Sequence, residues 1–197
     1  MNSRRLVCFL LGLWMGAGLL MLWVAAGGFG SVDRLIAQPN PVATAQFKAL
    51  GRSDVRLLLR YQVAEQNRWY FQTWEAAQMV IGVVFFFFLL FATSENQFAL
   101  LLVLLMVACV AAQRFLLTPG MISLGRMIEF AAANAFPGER TQFWVLHSWY
   151  WGVELAKWAL GLVLAARMIV HRGGRSRNAG QPVNTVDQAN YRPVNGR

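Results

Sequence analysis

The sequence has few of the residues that build disulfides, metal clusters or a strongly charged surface. Its two cysteines, Cys8 and Cys109, both lie inside apolar runs and form no C-x-x-C pair, which indicates small buried hydrophobic residues rather than redox chemistry. Charged residues make up 14% of the chain, less than a soluble domain usually carries, whereas 57% of the residues are hydrophobic. This composition indicates a membrane protein.

Motifs for catalysis, nucleic-acid binding and metal coordination are missing as well. No nucleophile-elbow, Walker or metalloprotease pattern occurs, so we expect no enzymatic activity. The net charge of +9 comes with no nucleic-acid motif, and its basic residues flank the apolar runs, so the lipid bilayer is the expected partner and nucleic acid is not. A metal site would need His147 with Glu75, Glu154 or methionine sulfur, and no H-x-x-x-H or M-x-x-M pattern supports that hypothesis.

Four apolar runs are long enough to span a membrane, which takes about 20 mostly apolar residues. They are Leu6–Ala26, Trp74–Ala92, Phe98–Leu117 and Phe143–Ile169. None of them alternates like a strand, so the predicted fold is all-α: a polytopic four-helix transmembrane bundle with amphipathic surface helices. This domain covers residues 1–172. Residues 173–197 are rich in Gly, Asn, Pro and Arg, which predicts a disordered basic cytoplasmic tail.

The orientation is predicted from the basic residues beside these runs. Arg4 and Arg5 precede the first run, and several arginines follow the fourth, so we expect both termini on the cytoplasmic side of a bacterial inner (plasma) membrane. Seven arginines in the other connections oppose this assignment, although some of them can pair with Glu65, Glu129 or Glu139. They are Arg34, Arg52, Arg56, Arg60, Arg68, Arg126 and Arg140. Residues 24–26 resemble a signal-peptide cleavage site, but the run before them is longer than a signal core, which favours a retained helix.

The connections between the runs are predicted to be helical. Asn40-Pro41 is typical of a helix start, with Asn as N-cap and Pro in the first turn, and Gly51 is typical of a helix end. Residues 54–92 contain no proline and a single glycine, Gly82, so we expect one helix over this range, about 57 Å long. Thr118-Pro119 predicts a further short helix that reaches about residue 133.

Ionisable and polar residues lie inside the predicted spans, where a charge costs at least ~2.5–3.5 kcal/mol on insertion scales. Glu154 and Lys157 lie in the fourth run at a spacing of one helical turn, so they can pair. Helical spacing puts positions 147, 150, 154, 157, 158 and 161 on one face of the fourth span, and positions 71, 74, 75, 78 and 82 on one face of the second span. The candidate binding residues are Glu75, Gln78, Gln113, Arg114, His147, Glu154 and Lys157.

Two interpretations of these polar residues stay open. They form either a structural seam of interhelical hydrogen bonds, each worth about 0.6 kcal/mol on average, or a site for a ligand, ion or proton. The first hypothesis is a ligand-binding or transporter-like protein that handles a small ligand, metal or cation. The second is a non-catalytic scaffold or accessory subunit of a larger membrane complex, and either one could require homo-oligomers. A water-filled pocket that reaches Glu154 would favour the first hypothesis, and a dry, fully paired seam the second.

Three segments resemble a known family. They are NRWYFQTWEAAQMVIG at 67–82, QRFLLTPGMISLGRMIEF at 113–130 and FWVLHSWYWGVELAKWALGL at 143–162, with the best anchors at residues 117–119 and 143–147. Over most of residues 6–170 the chain is similar to small four-helix membrane proteins of unknown function that are related to human transmembrane protein 205. The resemblance implies a four-helix fold. That family has been likened to bacterial copper-resistance membrane proteins, which is the only link to metal handling, and it implies no established activity.

Overall fold

The protein is all-helical in the part described by this computed structural model, which is residues 3–92, 97–132 and 134–178. The elements in chain order are α1 (Ser3–Ala37), α2 (Pro41–Leu50), α3 (Arg52–Ala92), α4 (Gln97–Ala112), a π-helical turn (Gln113–Leu117), α5 (Thr118–Ile128) and α6 (Pro137–Asn178). Helices α1, α3, α4 and α6 pack side by side. Each runs antiparallel to the one before it, so residues near the start of α4 lie beside the end of α6, as Phe98 and Arg167 do.

Three helical stretches among the described residues are long and apolar enough to cross a membrane. They are Arg5–Ala37, Arg52–Phe91 and Gln97–Ile128; the first and third contain the corresponding predicted spans, and the second covers its predicted span except for Ala92. The fourth predicted span, Phe143–Ile169, lies within α6 but is not one of the three. The reason is that Glu154, Lys157 and Arg167 all fall within its most apolar stretch.

The predicted boundaries in the first connection are confirmed. Asn40 Oδ1 accepts a hydrogen bond from the Ala43 amide at 2.7 Å, and Pro41 is the first residue of α2. Gly51 ends α2 with a φ of 85°, in the left-handed region that favours glycine. Helix α3 then continues unbroken for 41 residues, about 62 Å at the usual rise per residue. The single long helix predicted here is therefore present.

The third long helix differs from the prediction, because no break separates the third span from the helix beyond it. Residues Gln97–Ile128 form one continuous helical stretch that contains the π-helical turn Gln113–Leu117. Thr118-Pro119, predicted as a new helix start, follows this turn directly. A π-helical turn is wider than an α-helical turn, so it changes the helical register. This change comes just before Pro119, which has no amide hydrogen to donate. Helix α5 ends at Ile128, and residue 133 lies outside the described part of the chain.

The last helix extends beyond the predicted end of the fourth span. Residues 173–178 were predicted as the start of the disordered tail, but they continue α6 as far as Asn178. The adjacent glycines at 173 and 174 lower helix propensity by about 1 kcal/mol each without breaking the backbone hydrogen bonding. Residues 179–197, the rest of the predicted tail, lie outside the described residues, as do residues 93–96 of the predicted short turn.

Arg140, near the start of α6, holds the connection from α5 in place. Its Nε donates to the Ala135 carbonyl at 3.1 Å, and its Nη2 lies within 3.2 Å of the carbonyls of Ile128, Ala131 and Ala132. The carbonyls at the end of a helix have no partner within it, so a guanidinium satisfies several of them together. Phe136 in the same connection has a φ of 54°, which is uncommon for a bulky residue.

We expect Arg140→Gln to lower the free energy of unfolding by about 1–3 kcal/mol, because it removes hydrogen bonds from a charged donor to partly buried carbonyls. Denaturant unfolding in detergent micelles measures this change. Arg52→Gln, at the exposed start of α3, is the matched control and is expected to change stability by less than about 0.5 kcal/mol. Equal effects of the two substitutions would contradict the anchoring role of Arg140.

Candidate functional site

A layer of buried polar side chains lies between the apolar core and a cavity. The core fills the end of the bundle near the chain's N-terminus and includes Phe85, Val103 and Leu164. The polar layer comprises Glu75 and Gln78 of α3, Gln113 of the π-helical turn, Thr118 of α5, and Tyr150, Glu154 and Lys157 of α6. Glu75 and Gln113 are fully buried, and Lys157 is 3% exposed.

Lys157 is the centre of one half of the polar layer. Its Nζ donates to Glu154 Oε2 and to Gln78 Oε1, both at 2.6 Å, and lies 3.5 Å from Gln113 Oε1. Gln113 Nε2 donates to the same Glu154 oxygen at 2.9 Å. The sequence predicts that Glu154 faces the bundle and contacts Arg114, Lys157 or a polar group of the second span, and the structure shows the contact with Lys157. The buried ammonium has oxygen partners from three helical segments, which is the arrangement that a buried charge requires.

Two tryptophans complete this network, and neither is among the candidate binding residues. Position 158 was predicted to lie on the same face as Glu154, whereas Trp14 was not linked to the site. Trp14 Nε1 of α1 donates to Gln78 Oε1 at 2.9 Å, and Trp158 Nε1 donates to Glu154 Oε1 at 3.1 Å. A buried indole needs a partner for its N–H. Trp14 lies in the middle of an apolar run, away from the membrane interface where tryptophan is enriched. This position was the feature of the sequence that indicated a buried partner for its N–H.

Glu75 forms the other half of the polar layer. Its Oε1 accepts hydrogen bonds from Thr118 Oγ1 at 2.6 Å and from the Tyr150 hydroxyl at 3.1 Å. Its Oε2 is buried without a hydrogen-bond partner, and so is Gln78 Nε2, one turn further along α3. Thr118 was absent from the predicted site, although its hydroxyl lies one turn beyond Gln113 and Arg114. The layer is therefore extensively but not completely paired.

Two of the predicted site residues lie outside this network. Arg114 turns away from Glu154, and its Nη1 donates to the carbonyl of Gln72 at 2.9 Å. His147 Nε2 accepts a hydrogen bond from Trp151 Nε1 at 3.1 Å. The other five, Glu75, Gln78, Gln113, Glu154 and Lys157, come together as predicted.

The arrangement of potential metal ligands does not support a metal centre. No three histidine, cysteine, aspartate or glutamate side chains come together in the described part of the chain. What the layer offers instead is a set of hydrogen-bonding groups beneath a cavity.

A cavity of about 400 Å³ lies on the other side of the polar layer, between α1, α3, α5 and α6. Most of its wall is apolar and aromatic. Glu154, Tyr150 and Thr118 form its floor, which is the surface where the polar layer meets the cavity. Asn67, Arg68 and His147 line the wall further from the layer.

A cluster of four charged residues lies at the end of the cavity opposite the floor. Arg68 Nη1 is 2.6 Å from Glu65 Oε1, and Arg68 Nη2 is 2.9 Å from Glu129 Oε2. Arg126 reaches both oxygens of Glu65 at 2.9 Å. Arg68 and Arg126 thus pair with Glu65 and Glu129, two of the acids that the sequence offered as partners. The cluster has no net charge.

Comparisons with protein-family models, with curated proteins and with solved structures find no match to this chain. The resemblance to the family related to transmembrane protein 205 therefore stays a prediction. The polar layer and the cavity are therefore the features that bear on its function.

Proposed function

We propose that this protein is a four-span integral membrane protein that binds a small ligand within the bilayer and does not act as an enzyme. The observation that carries the proposal is the cavity of about 400 Å³ with polar groups confined to its floor and its far end. Ligand pockets typically measure ~300–1,000 Å³ and combine a mainly apolar wall with a few placed polar groups. Such a cavity suits a ligand with an apolar body and a small polar part.

The pairing of its charges supports α6 as the fourth span. Lys157 and Glu154 compensate each other and face the other helices, so this pair brings no unpaired charge into contact with lipid, and the guanidinium of Arg167 lies over the ring of Phe98. The opposite face carries exposed apolar side chains, as lipid requires: Leu155, Leu162, Val163 and Ile169. With α6 included, the four long helices make an even number of crossings.

An even number of spans places both chain ends on one side, and we propose the cytoplasmic side of a bacterial inner membrane. Single cysteines at Ser176 and Ala43, in a background with Cys8 and Cys109 replaced by alanine, test this arrangement in intact cells. We expect an impermeant maleimide to label position 43 from outside and position 176 only after the membrane is opened. Labelling of both positions from the same side would exclude four spans.

Blocking the cavity tests ligand binding directly. A Cβ at Gly18 would lie 3.7 Å from Trp158 and 3.9 Å from Trp74, so Gly18→Leu places a side chain on the cavity wall without a backbone clash. Native mass spectrometry of the purified protein measures the fraction that carries a bound small molecule. We expect Gly18→Leu to reduce that fraction at least tenfold, because the added volume competes with the ligand.

Gly16→Leu is the matched control, since a Cβ at Gly16 has no atom within 4 Å and the residue is exposed on the same helix. We expect Gly16→Leu to leave the bound fraction unchanged. If the unsubstituted protein carries no small molecule, or if both variants retain it equally, the cavity is not a ligand site.

The second candidate function, a non-catalytic scaffold or accessory subunit, is favoured by the pairing within the polar layer. Lys157, Gln113 and Glu154 satisfy one another as a structural seam would. The same mass spectra separate the two functions. A stoichiometric protein partner together with an empty cavity would favour the scaffold, whereas a bound small molecule favours the ligand site.

A further inference from the structure

We infer that the cavity selects amphipathic cations, which are molecules with an apolar body and one protonated amine or quaternary onium group. This inference rests on the proposed function and specifies the ligand class. Four features of the described wall support it: the carboxylate of the floor, the hydroxyl groups beside it, the aromatic rings of the wall and the pairing of Arg68.

Glu154 gives the floor a carboxylate with spare hydrogen-bonding capacity. Its Oε2 accepts from Lys157 and Gln113, whereas its Oε1 accepts from Trp158 alone. A carboxylate oxygen has about two acceptor positions, so Oε1 retains one. Glu154 is on the cavity wall and its side chain is 19% exposed, whereas Lys157 is not part of this wall. A ligand in the cavity therefore meets the acid and not its basic partner.

The hydroxyl groups of the floor also present acceptors. Tyr150 and Thr118 each donate their single hydroxyl hydrogen to Glu75, so only their oxygen lone pairs are left for a ligand. Lys157 pairs with Glu154 but does not line the cavity, and Arg114 does not line it either. The floor therefore favours a ligand that brings hydrogen-bond donors or a positive charge.

Aromatic rings surround the remaining space. A cation within about 6 Å of an aromatic face gains about 0.5–2 kcal/mol, most beside tryptophan and most when desolvated. The same rings provide apolar surface for the body of the ligand. The aromatic residues of the wall include Phe71, Trp74, Phe143, Tyr150, Trp151 and Trp158.

An anionic ligand finds no unpaired arginine or lysine among the described residues of the wall. Arg68 is the arginine of the wall, and both of its Nη atoms donate to carboxylates, one to Glu65 and the other to Glu129. Binding an anion there would require breaking an ion pair that is mostly shielded from water, whereas a cation at the floor breaks no contact. The electrostatic preference of the cavity is therefore for positive charge.

Tetraphenylphosphonium and tetraphenylborate test this preference, because they share size, shape and four phenyl groups but carry opposite charges. Each is titrated into the purified protein in neutral detergent, with intrinsic tryptophan fluorescence and calorimetry as readouts. We expect tetraphenylphosphonium to bind at least tenfold more tightly than tetraphenylborate. We also expect Gly18→Leu to weaken its binding at least tenfold.

The contribution of Glu154 is tested in Glu154→Gln and in the double variant Glu154→Gln, Lys157→Met. The double variant removes both members of the ion pair, so it remains folded if the single variant does not. We expect either variant to reduce the preference for the phosphonium at least tenfold. Asp54→Asn, an exposed acid outside the cavity, is the control and is expected to leave the preference intact.

The outcomes distinguish this inference from the proposed function. Equal affinity for the two ions, tighter binding of the borate, or a preference that survives in the double variant would overturn the inference. If neither ion binds but a copurified molecule is lost in Gly18→Leu, the cavity is a ligand site and the inferred ligand class is wrong. If neither ion binds and the unsubstituted protein carries no small molecule, both the inference and the proposed function are wrong.

Discussion

Replacing Lys157 with methionine is expected to lower the free energy of unfolding by about 3–5 kcal/mol, because it leaves a buried carboxylate without its partner. Lys157 donates to Glu154 and Gln78 at 2.6 Å, so the substitution also leaves two acceptors short of a donor. Methionine has a similar length and fills the same space, so little of the loss comes from a cavity. Denaturant unfolding in micelles measures the change.

Lys48→Met is the matched control, since Lys48 is the only other lysine of the chain and is exposed on α2. It is expected to change stability by less than about 0.5 kcal/mol. The double variant Glu154→Gln, Lys157→Met is expected to recover most of the loss, because it removes both charges. If Lys157→Met is as mild as Lys48→Met, the pair does not compensate charges within the bundle.

The parts of the fold that follow from local rules could be predicted from the sequence. The cap at Asn40, the end at Gly51 and the unbroken α3 depend on residues within one or two turns. The contact between Glu154 and Lys157 follows from their spacing on one helix. Such features need no knowledge of which helices are neighbours.

The parts that depend on contacts between distant segments could not be predicted. Trp14 and Gln78 are 64 residues apart, and the position of Trp14 in the middle of an apolar run does not indicate which residue accepts its hydrogen bond. The π-helical turn at Gln113–Leu117 has no composition of its own, so Thr118-Pro119 resembled a helix start. Arg114 was assigned to the site because sequence gives its position along the helix but not the change of register beside it.

The cavity could not be predicted from the sequence either, for a different reason. It exists where side chains of α1, α3, α5 and α6 do not meet, and this depends on the distances between helices rather than on any residue pattern. Gly18 of α1 adds no side chain to this wall, where a Cβ would lie in van der Waals contact with Trp74 and Trp158. The sequence predicted the polar residues of the floor but not the space above them.

Gly82→Val is expected to lower the free energy of unfolding by about 2–3 kcal/mol through overpacking. A Cβ at Gly82 would lie 2.6 Å from Val107 Cγ2 and 2.9 Å from Trp14 Cη2, so at least one of these side chains has to move. Here α1, α3 and α4 meet around a residue with no side chain, as small residues allow in membrane helices. Displacing Trp14 would also disturb its hydrogen bond to Gln78, so the strain reaches the polar layer.

Gly12→Val separates this steric effect from the general effect of a β-branched residue in a helix, because Gly12 is exposed and a Cβ there has no atom within 4 Å. We expect Gly12→Val to be neutral or slightly stabilising, since valine has a higher helix propensity than glycine. Val107→Ala combined with Gly82→Val is expected to recover part of the loss, because it removes the nearer of the two clashing groups. If Gly82→Val destabilises no more than Gly12→Val, then α3 does not approach Trp14 and Val107 as closely as this packing requires. The polar layer would then need another explanation for the position of Trp14.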